Sequence, residues 1–200
     1  MFPANNLPQF FEEYFEELST QSWTQIPIDT DFSIKLRNSA ESKFNSDLFK
    51  AARVTDSINP LPTIRNDSIF WLDAKSETLN ATDQVALTQI DVLKESLKNY
   101  FRLSLTELEC HYAVYPAGHF YKKHSDVTAQ NNKRIFSFVI YLNNSWQPDD
   151  GGELLGYEEE QTLFKIRPQA GNMILFKSEL EHEVLTTYKT RYSLTGWIRK

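Results

Sequence analysis

The sequence predicts an α+β fold: a jelly-roll sandwich or barrel of short strands with helices packed on one side. Three observations predict it. All six glycines (118, 151, 152, 156, 171 and 196) follow residue 117, so tight turns are concentrated in the second part of the chain. Ahead of them apolar residues recur at helical spacing; after residue 106 short alternating segments succeed one another between turn sequences. At 200 residues the chain can bury roughly 70% of the surface its unfolded form exposes, enough for a core without disulfide staples.

The elements follow in order. Leu7, Phe10, Phe11, Tyr14, Phe15 and Leu18 form one apolar helix face. Glu12, Glu13, Glu16 and Glu17 oppose it, which favours a helix docked on the core over one lying on a membrane surface. Residues 43–53 read as a short second helix, and Asn59-Pro-Leu-Pro62 as extended or turned, because proline restricts its predecessor. A longer helix is expected from Asp83 to Tyr100, capped by Thr82 or Asn80, with Leu87, Ile90, Leu93, Leu97 and Phe101 facing inward. Eight strands are expected over 107–115, 119–124, 134–143, 152–157, 161–166, 172–177, 181–187 and 191–199. Turn sequences at 115–118, 148–152 and 168–171 separate several of them. No repeat, low-complexity tract or linker interrupts the chain. Residues 1–200 therefore read as one domain, with a helical N-terminal part over 1–60 and the chemistry over 61–200.

Composition narrows the function. Hydrophobic residues are 40% and charged residues 24%, as in globular proteins. The 14 Phe, 9 Tyr and 4 Trp point to a core built on rings. A net charge of −6 disfavours nucleic-acid and polybasic membrane binding. The single cysteine, Cys110, excludes a disulfide framework and multi-cysteine metal sites. No apolar run approaches the roughly 20 residues of a membrane helix, and the opening MFPANNLPQF lacks signal-peptide character. The expected compartment is the cytoplasm.

Two histidines stand in informative places. His124-Ser-Asp126 puts an imidazole and a carboxylate on one face of a strand, and His182 follows on a later strand. Two histidines and a carboxylate form the facial triad of non-haem Fe(II) sites, which leaves three coordination positions for a cosubstrate and O2. His-x-Asp alone is more often a surface polar pair than a metal site. Arg191 begins an alternating strand whose one face is Arg191, Ser193, Thr195 and Trp197. A buried arginine there needs an anion, for which a bidentate carboxylate is the best partner. Ser137 and Tyr141 share a face of the 134–143 strand and offer hydroxyls to the same anion. A solvated Arg191 and a core Tyr141 are the plainer readings. The remaining candidates read plainly too: His111 as a packed or rim residue, His119 as exposed in a turn, Cys110 as a small core residue. Gly151-Gly152 is a turn without the Lys-Ser/Thr of a phosphate loop, and Glu158-Glu159-Glu160 the cap of a solvated hairpin.

Tyr115-x-x-Gly118-x-x-Tyr121-x-x-His124-x-Asp126 resembles the segment leading into the metal site of prolyl 4-hydroxylase-type 2-oxoglutarate dioxygenases. The resemblance continues through Arg134, Ser137, Tyr141-Leu-Asn143, Trp146, Gly151-Gly152-Glu-Leu154, Pro168, Gly171, Leu175-Phe176, His182-Glu-Val184 and Arg191-Tyr192-x-x-x-x-Trp197. Arg65-Asn-Asp67-Ser-Ile-Phe-Trp71 resembles the strand before the mobile substrate loop of the EGL-nine-like branch. About residues 60–200 are covered; residues 1–60 carry no match. Glu181 stands where the animal oxygen sensors of that branch have proline.

The resemblance implies a double-stranded β-helix holding Fe(II) through His124, Asp126 and His182. It implies that Arg191 grips the distal carboxylate of 2-oxoglutarate, assisted by Tyr115 and Tyr141, with Thr195 a further candidate. Trp197 would wall the pocket, Tyr121 and Arg134 would face the substrate, and Arg65 and Asp67 would steady a polar loop at about 73–82 over it. The implied reaction consumes O2 and 2-oxoglutarate, with ascorbate as a candidate auxiliary reductant, and releases succinate and CO2 as a prolyl residue of a protein or peptide is hydroxylated. Two alternatives stay open. One is hydroxylation of a free amino acid or other small molecule, with Arg134 or Lys122 as a second clamp. The other is a binding module that senses metal or 2-oxoglutarate without turnover.

Overall fold

The computed structural model describes residue 2 and residues 7–53, 63–129 and 132–200. The elements run α1 (Leu7–Gln21), β1 (Trp23–Pro27), α2 (Thr30–Asn45), β2 (Lys50–Ala51), β3 (Ser68–Trp71) and α3 (Ala81–Phe101). There follow β4 (Glu107–Tyr115), β5 (Tyr121–His124), β6 (Arg134–Tyr141), β7 (Leu154–Glu158), β8 (Gln161–Ile166), β9 (Asn172–Lys177), β10 (Glu181–Val184) and β11 (Arg191–Arg199). The strands make two antiparallel sheets, one ordered β1-β9-β6-β11-β4-β3-β2 and the other β5-β10-β7-β8.

Period-2 alternation decides what each sheet face does. On the large sheet, Cys110, Tyr112, Val114, Phe136, Phe138, Ile140, Leu194 and Ile198 pack with the helices in one core. Ala113, Tyr115, Val139, Tyr141, Ile174 and Phe176 point the other way, into a second core shared with Leu154, Phe164 and Val184 of the small sheet. The helices thus cover the outer face of the large sheet, and the site lies between the sheets.

α1 buries Phe11, Phe15 and Leu18 against the sheet and turns its glutamates outward. α3 begins at a capping box, with the Asn80 side chain accepting from the Asp83 N–H and Asp83 reciprocating. Of the expected stripe, Ile90, Leu93 and Leu97 are buried and Leu87 and Phe101 half-buried; Ala86 and Asp83 complete the face.

Two expectations are corrected. Residues 43–53 are not a helix: the second helix occupies Thr30–Asn45, and the chain then turns at Asp47 (φ 55°) into β2. The apolar signal of α2 is thin because Ser33, Ser39 and Lys43 share its buried side with Leu36 and Ala40. β1 was not expected either; only Thr24 and Ile26 alternate inward as it pairs with β9. Strands 119–124, 134–143 and 181–187 are shorter than expected, ending where the backbone leaves the ladder. The proline stretch 59–62 lies outside the described residues, as do the side chains of Leu7 and Pro8.

Candidate metal centre and ligand cavity

β5 and β10 are neighbours in the small sheet, and their pairing sets His182 opposite His124. Asp126 follows β5, its backbone N–H donating to the Ser178 carbonyl at 3.2 Å. The ligand atoms of His124, Asp126 and His182 all lie within 4.8 Å of one another. Nδ1 of His124 is 2.7 Å from the Lys122 carbonyl and Nδ1 of His182 is 2.9 Å from the Leu180 carbonyl. A carbonyl accepts only, so each Nδ1 carries the proton and each Nε2 the lone pair. Both lone pairs face Asp126: His124 Nε2 is 3.8 Å from Oδ1, and His182 Nε2 is 3.5 Å from Oδ2.

The electrostatics suit a cation. Burial, with His182 alongside, pushes the His124 imidazole down to about 3. Burial alone would raise the Asp126 carboxyl, but His182 and His124, when protonated, and the Ser137 hydroxyl outweigh it and hold it below the usual carboxylate range. Ser137 Oγ donates to Asp126 Oδ2 at 2.6 Å and lies 2.9 Å from Ser178 Oγ. Two neutral imidazole lone pairs and one oriented carboxylate fit a divalent transition metal.

A cavity of about 50 Å³ adjoins the triad, walled by Arg65, His111, Tyr115, Tyr121, Ser137, Val139, Leu154, Phe176, Val184, Arg191, Ser193, Thr195 and Trp197. Arg191 is 1% exposed. It makes no ion pair among the described residues. Its Nη1 donates to Ser193 at 3.3 Å, and its Nε is buried without a partner. The Tyr115 and Tyr141 rings flank it, 5.0 and 5.6 Å from the guanidinium carbon, and the Tyr141 hydroxyl also lacks a partner. Burial keeps both phenols above their usual range. Gly152 (φ 70°) runs beside this guanidinium, and a Cβ there would come within 3.1 Å of Arg191 Cδ. An unpaired buried guanidinium with orphaned donors fits an incoming carboxylate.

Several expected placements differ. Ser137 serves the Asp126 carboxylate rather than an anion at Arg191. Thr195 lines the cavity, but its hydroxyl donates to the Phe138 carbonyl at 2.8 Å. Arg134 is not on the cavity wall; it lies 3.5 Å over the Trp197 ring and pairs with Glu109 at 3.0 Å. Lys122 is exposed and also off that wall. None of residues 73–82 lines the cavity. Leu72 and Leu79 are buried in the helix-side core, and Asn80 ties the segment to α2 through Ser39 at 2.8 Å, so its ends are anchored in the helix layer while residues 73–75, 77 and 78 are exposed. His119 is half-buried, its Nδ1 against the Asn66 carbonyl.

Arg65 lines the cavity, and Asp67, off its wall, meets the site only through Arg65. Arg65 donates twice to Asp67, at 2.8 and 2.7 Å, and lies 4.2 Å over the Tyr121 ring. Burial would lower the Arg65 guanidinium, but the Asp67 carboxylate more than reverses that. Ser178, which meets the Ser137 hydroxyl, was missed by sequence reasoning because it sits in a turn with no motif to flag it. His111, read as a packed or rim residue, is buried and lines the cavity on the inward face of β4 with Ala113 and Tyr115.

The model of the 2OG-Fe(II) oxygenase superfamily matches residues 110–199. Egl nine homolog 1 of Rattus norvegicus is 29% identical over 142 residues, covering 67% of this chain and 41% of that protein. The Homo sapiens homologue is 28% identical over 142 residues, covering 67% of this chain and 33% of its own length. The chain thus spans well under half of these curated relatives. A Pseudomonas putida prolyl-4-hydroxylase structure superposes with a TM-score of 0.85 at 32% identity, covering 96% of this chain and 100% of that one. A Trichoplax adhaerens prolyl hydroxylase, solved with a hypoxia inducible factor oxygen degradation domain peptide, shares the fold with a TM-score of 0.85 at 24% identity, covering 96% of this chain and 90% of its own.

Proposed function

Because the chain belongs to the 2OG-Fe(II) oxygenase superfamily, we propose that it is an Fe(II)- and 2-oxoglutarate-dependent dioxygenase that hydroxylates a prolyl residue of a protein or peptide. One observation carries the reading: a two-histidine, one-carboxylate cluster shares a narrow cavity with a buried arginine that has no anionic partner among the described residues. A binding module without turnover has no chemical need for open coordination positions beside such a cluster.

His124, Asp126 and His182 would hold the iron, and Arg191 the distal carboxylate of 2-oxoglutarate, with Tyr115 and Tyr141 at its sides. When bound, iron and 2-oxoglutarate supply the oxidising chemistry, converting O2 and the keto acid to succinate, CO2 and a hydroxylated C–H position. The protein orients and desolvates. Ser137 fixes the Asp126 carboxylate, and the two backbone carbonyls fix the imidazole tautomers. Val139, Leu154, Phe176 and Val184 exclude water, and Trp197 offers a flat apolar wall.

A peptidyl proline is favoured over a free amino acid. Gripping free proline takes one group for its ammonium and another for its carboxylate. Among the described residues the cavity carries two guanidiniums, and that of Arg65 is committed to Asp67. The proposed compartment is the cytoplasm; among the described residues no helix is long and apolar enough to cross a membrane. The test supplies iron, ascorbate, O2 and 2-oxoglutarate with either proline-containing peptides or free amino acids. Mass spectrometry should find an added oxygen on prolyl residues of peptides. Efficient hydroxylation of free proline with none on peptides would overturn the substrate class.

A further inference from the structure

We infer that His111 is a cosubstrate-binding residue whose imidazole donates a hydrogen bond to 2-oxoglutarate, at the level of the cavity beyond the Arg191 guanidinium. The inference rests on the reading that this cavity takes that diacid. His111 is 2% exposed, lines the cavity and leaves Nδ1 buried without a hydrogen-bond partner. Such atoms are few in folded proteins, and an unmet partner such as a ligand or water is one of the explanations each calls for. Among the described residues five occur, and two of the others, the Tyr141 hydroxyl and Arg191 Nε, belong to neighbouring side chains, of which Arg191 lines the same cavity.

Strand register locates His111. It pairs across β4 with Thr195 of β11 on one side and Trp71 of β3 on the other, two residues along from the Ala113–Ser193 pair. The Arg191 guanidinium reaches the Ser193 hydroxyl. Two residues of strand span roughly 7 Å, so guanidinium and imidazole are separated by a gap that a five-carbon diacid bridges. Thr195, at the same level as His111, has already given its hydroxyl proton to Phe138.

The imidazole is also held in place. Its ring centroid lies 4.6 Å from that of Trp71 and 5.3 Å from that of Trp197. Burial, with Arg65 and Arg134 nearby, keeps it neutral. Neutrality suits the role: a divalent metal, Asp126, Arg191 and a dianion already balance. A neutral N–H adds a hydrogen bond without leaving net charge in a buried cavity.

The test is binding, not turnover. 2-Oxoglutarate is titrated calorimetrically into the Zn(II)-loaded protein without O2, for the wild type, Arg191→Ala, His111→Gln and His111→Leu. His111→Leu should bind about threefold to tenfold more weakly, the scale of one lost hydrogen bond, and His111→Gln should retain most of the affinity. In 15N NMR of the Zn(II) wild type, the His111 Nδ1 resonance should shift as the diacid saturates the protein. Unchanged affinity in His111→Leu while Arg191→Ala is weakened overturns the inference and spares the cosubstrate reading. So does an unmoved Nδ1 resonance at saturation, which requires no variant to fold. A wild type that binds no 2-oxoglutarate overturns both.

Discussion

The Tyr121 ring stacks on the His124 imidazole with centroids 3.6 Å apart and planes 15° from parallel. Arg65 covers the Tyr121 ring, and Asp67 anchors Arg65 through two hydrogen bonds. The resemblance that placed Arg65 and Asp67 near the substrate therefore leads, in this chain, to a column that ends on a candidate metal ligand.

Outer partners of metal ligands orient them, and their loss typically weakens metal binding about 10- to 100-fold. Tyr121→Ala should weaken Mn(II) or Co(II) binding toward the lower end of that range, while Tyr121→Phe, which keeps the stack, should bind close to wild type. A metal titration followed by competition with a chelator reads this directly.

Arg191→Ala should raise the 2-oxoglutarate requirement about tenfold to a hundredfold, as expected for a charge-assisted contact of roughly 1.5–3 kcal/mol. Arg191→Lys should recover only part of it, because a point charge cannot reproduce two parallel bonds. The dependence of succinate formation on 2-oxoglutarate concentration measures both.

A metal that binds only the folded chain raises stability by about 2.7 kcal/mol at a hundred times its dissociation constant. Chelation should lower the melting temperature without unfolding the protein, because β5 and β10 are held by their ladder and not by the ion. His182→Ala should erase the metal-dependent rise, as differential scanning calorimetry with and without Mn(II) would register.

Away from the site, Asp83 is fully buried and accepts from Lys43, Ser39 and Tyr112, each at 2.7 Å. Burial alone would raise its carboxyl, but these partners and the Asn80 backbone outweigh it and hold it below its ordinary value. A carboxyl lowered on folding adds stability that is present above its unfolded pKa, about 3.9, and is lost as pH falls through the folded value. Asp83→Asn should therefore cost about 3–5 kcal/mol near pH 7, since it strands a buried lysine. That gap should narrow below about pH 4, a trend urea titrations at several pH values would follow.

Much of this was legible in the sequence because the signals were local. Alternation on the 191–199 strand put Arg191, Ser193, Thr195 and Trp197 on one wall, and the observed β11 does the same. His-x-Asp and the distant His182 meet because β5 and β10 are neighbours. What escaped depends on partners distant in sequence. Arg134 was indistinguishable from a cavity residue until Glu109 and Trp197 appeared beside it. The polar run Asp73–Asn80 resembles a cover in composition, yet Leu72 and Leu79 pin it to the core. α2 hid its inward face behind Ser39 and Lys43, whose burial makes sense only once Asp83 is opposite.

Labelled oxygen tests the central account most directly. Given 18O2, iron, 2-oxoglutarate and a proline-containing peptide, the protein should place one labelled atom in succinate and one in the prolyl hydroxyl. The two products should form in equal amounts, and both should disappear in His182→Ala. Succinate formed without labelled oxygen, or product formation unaffected in His182→Ala, would contradict it.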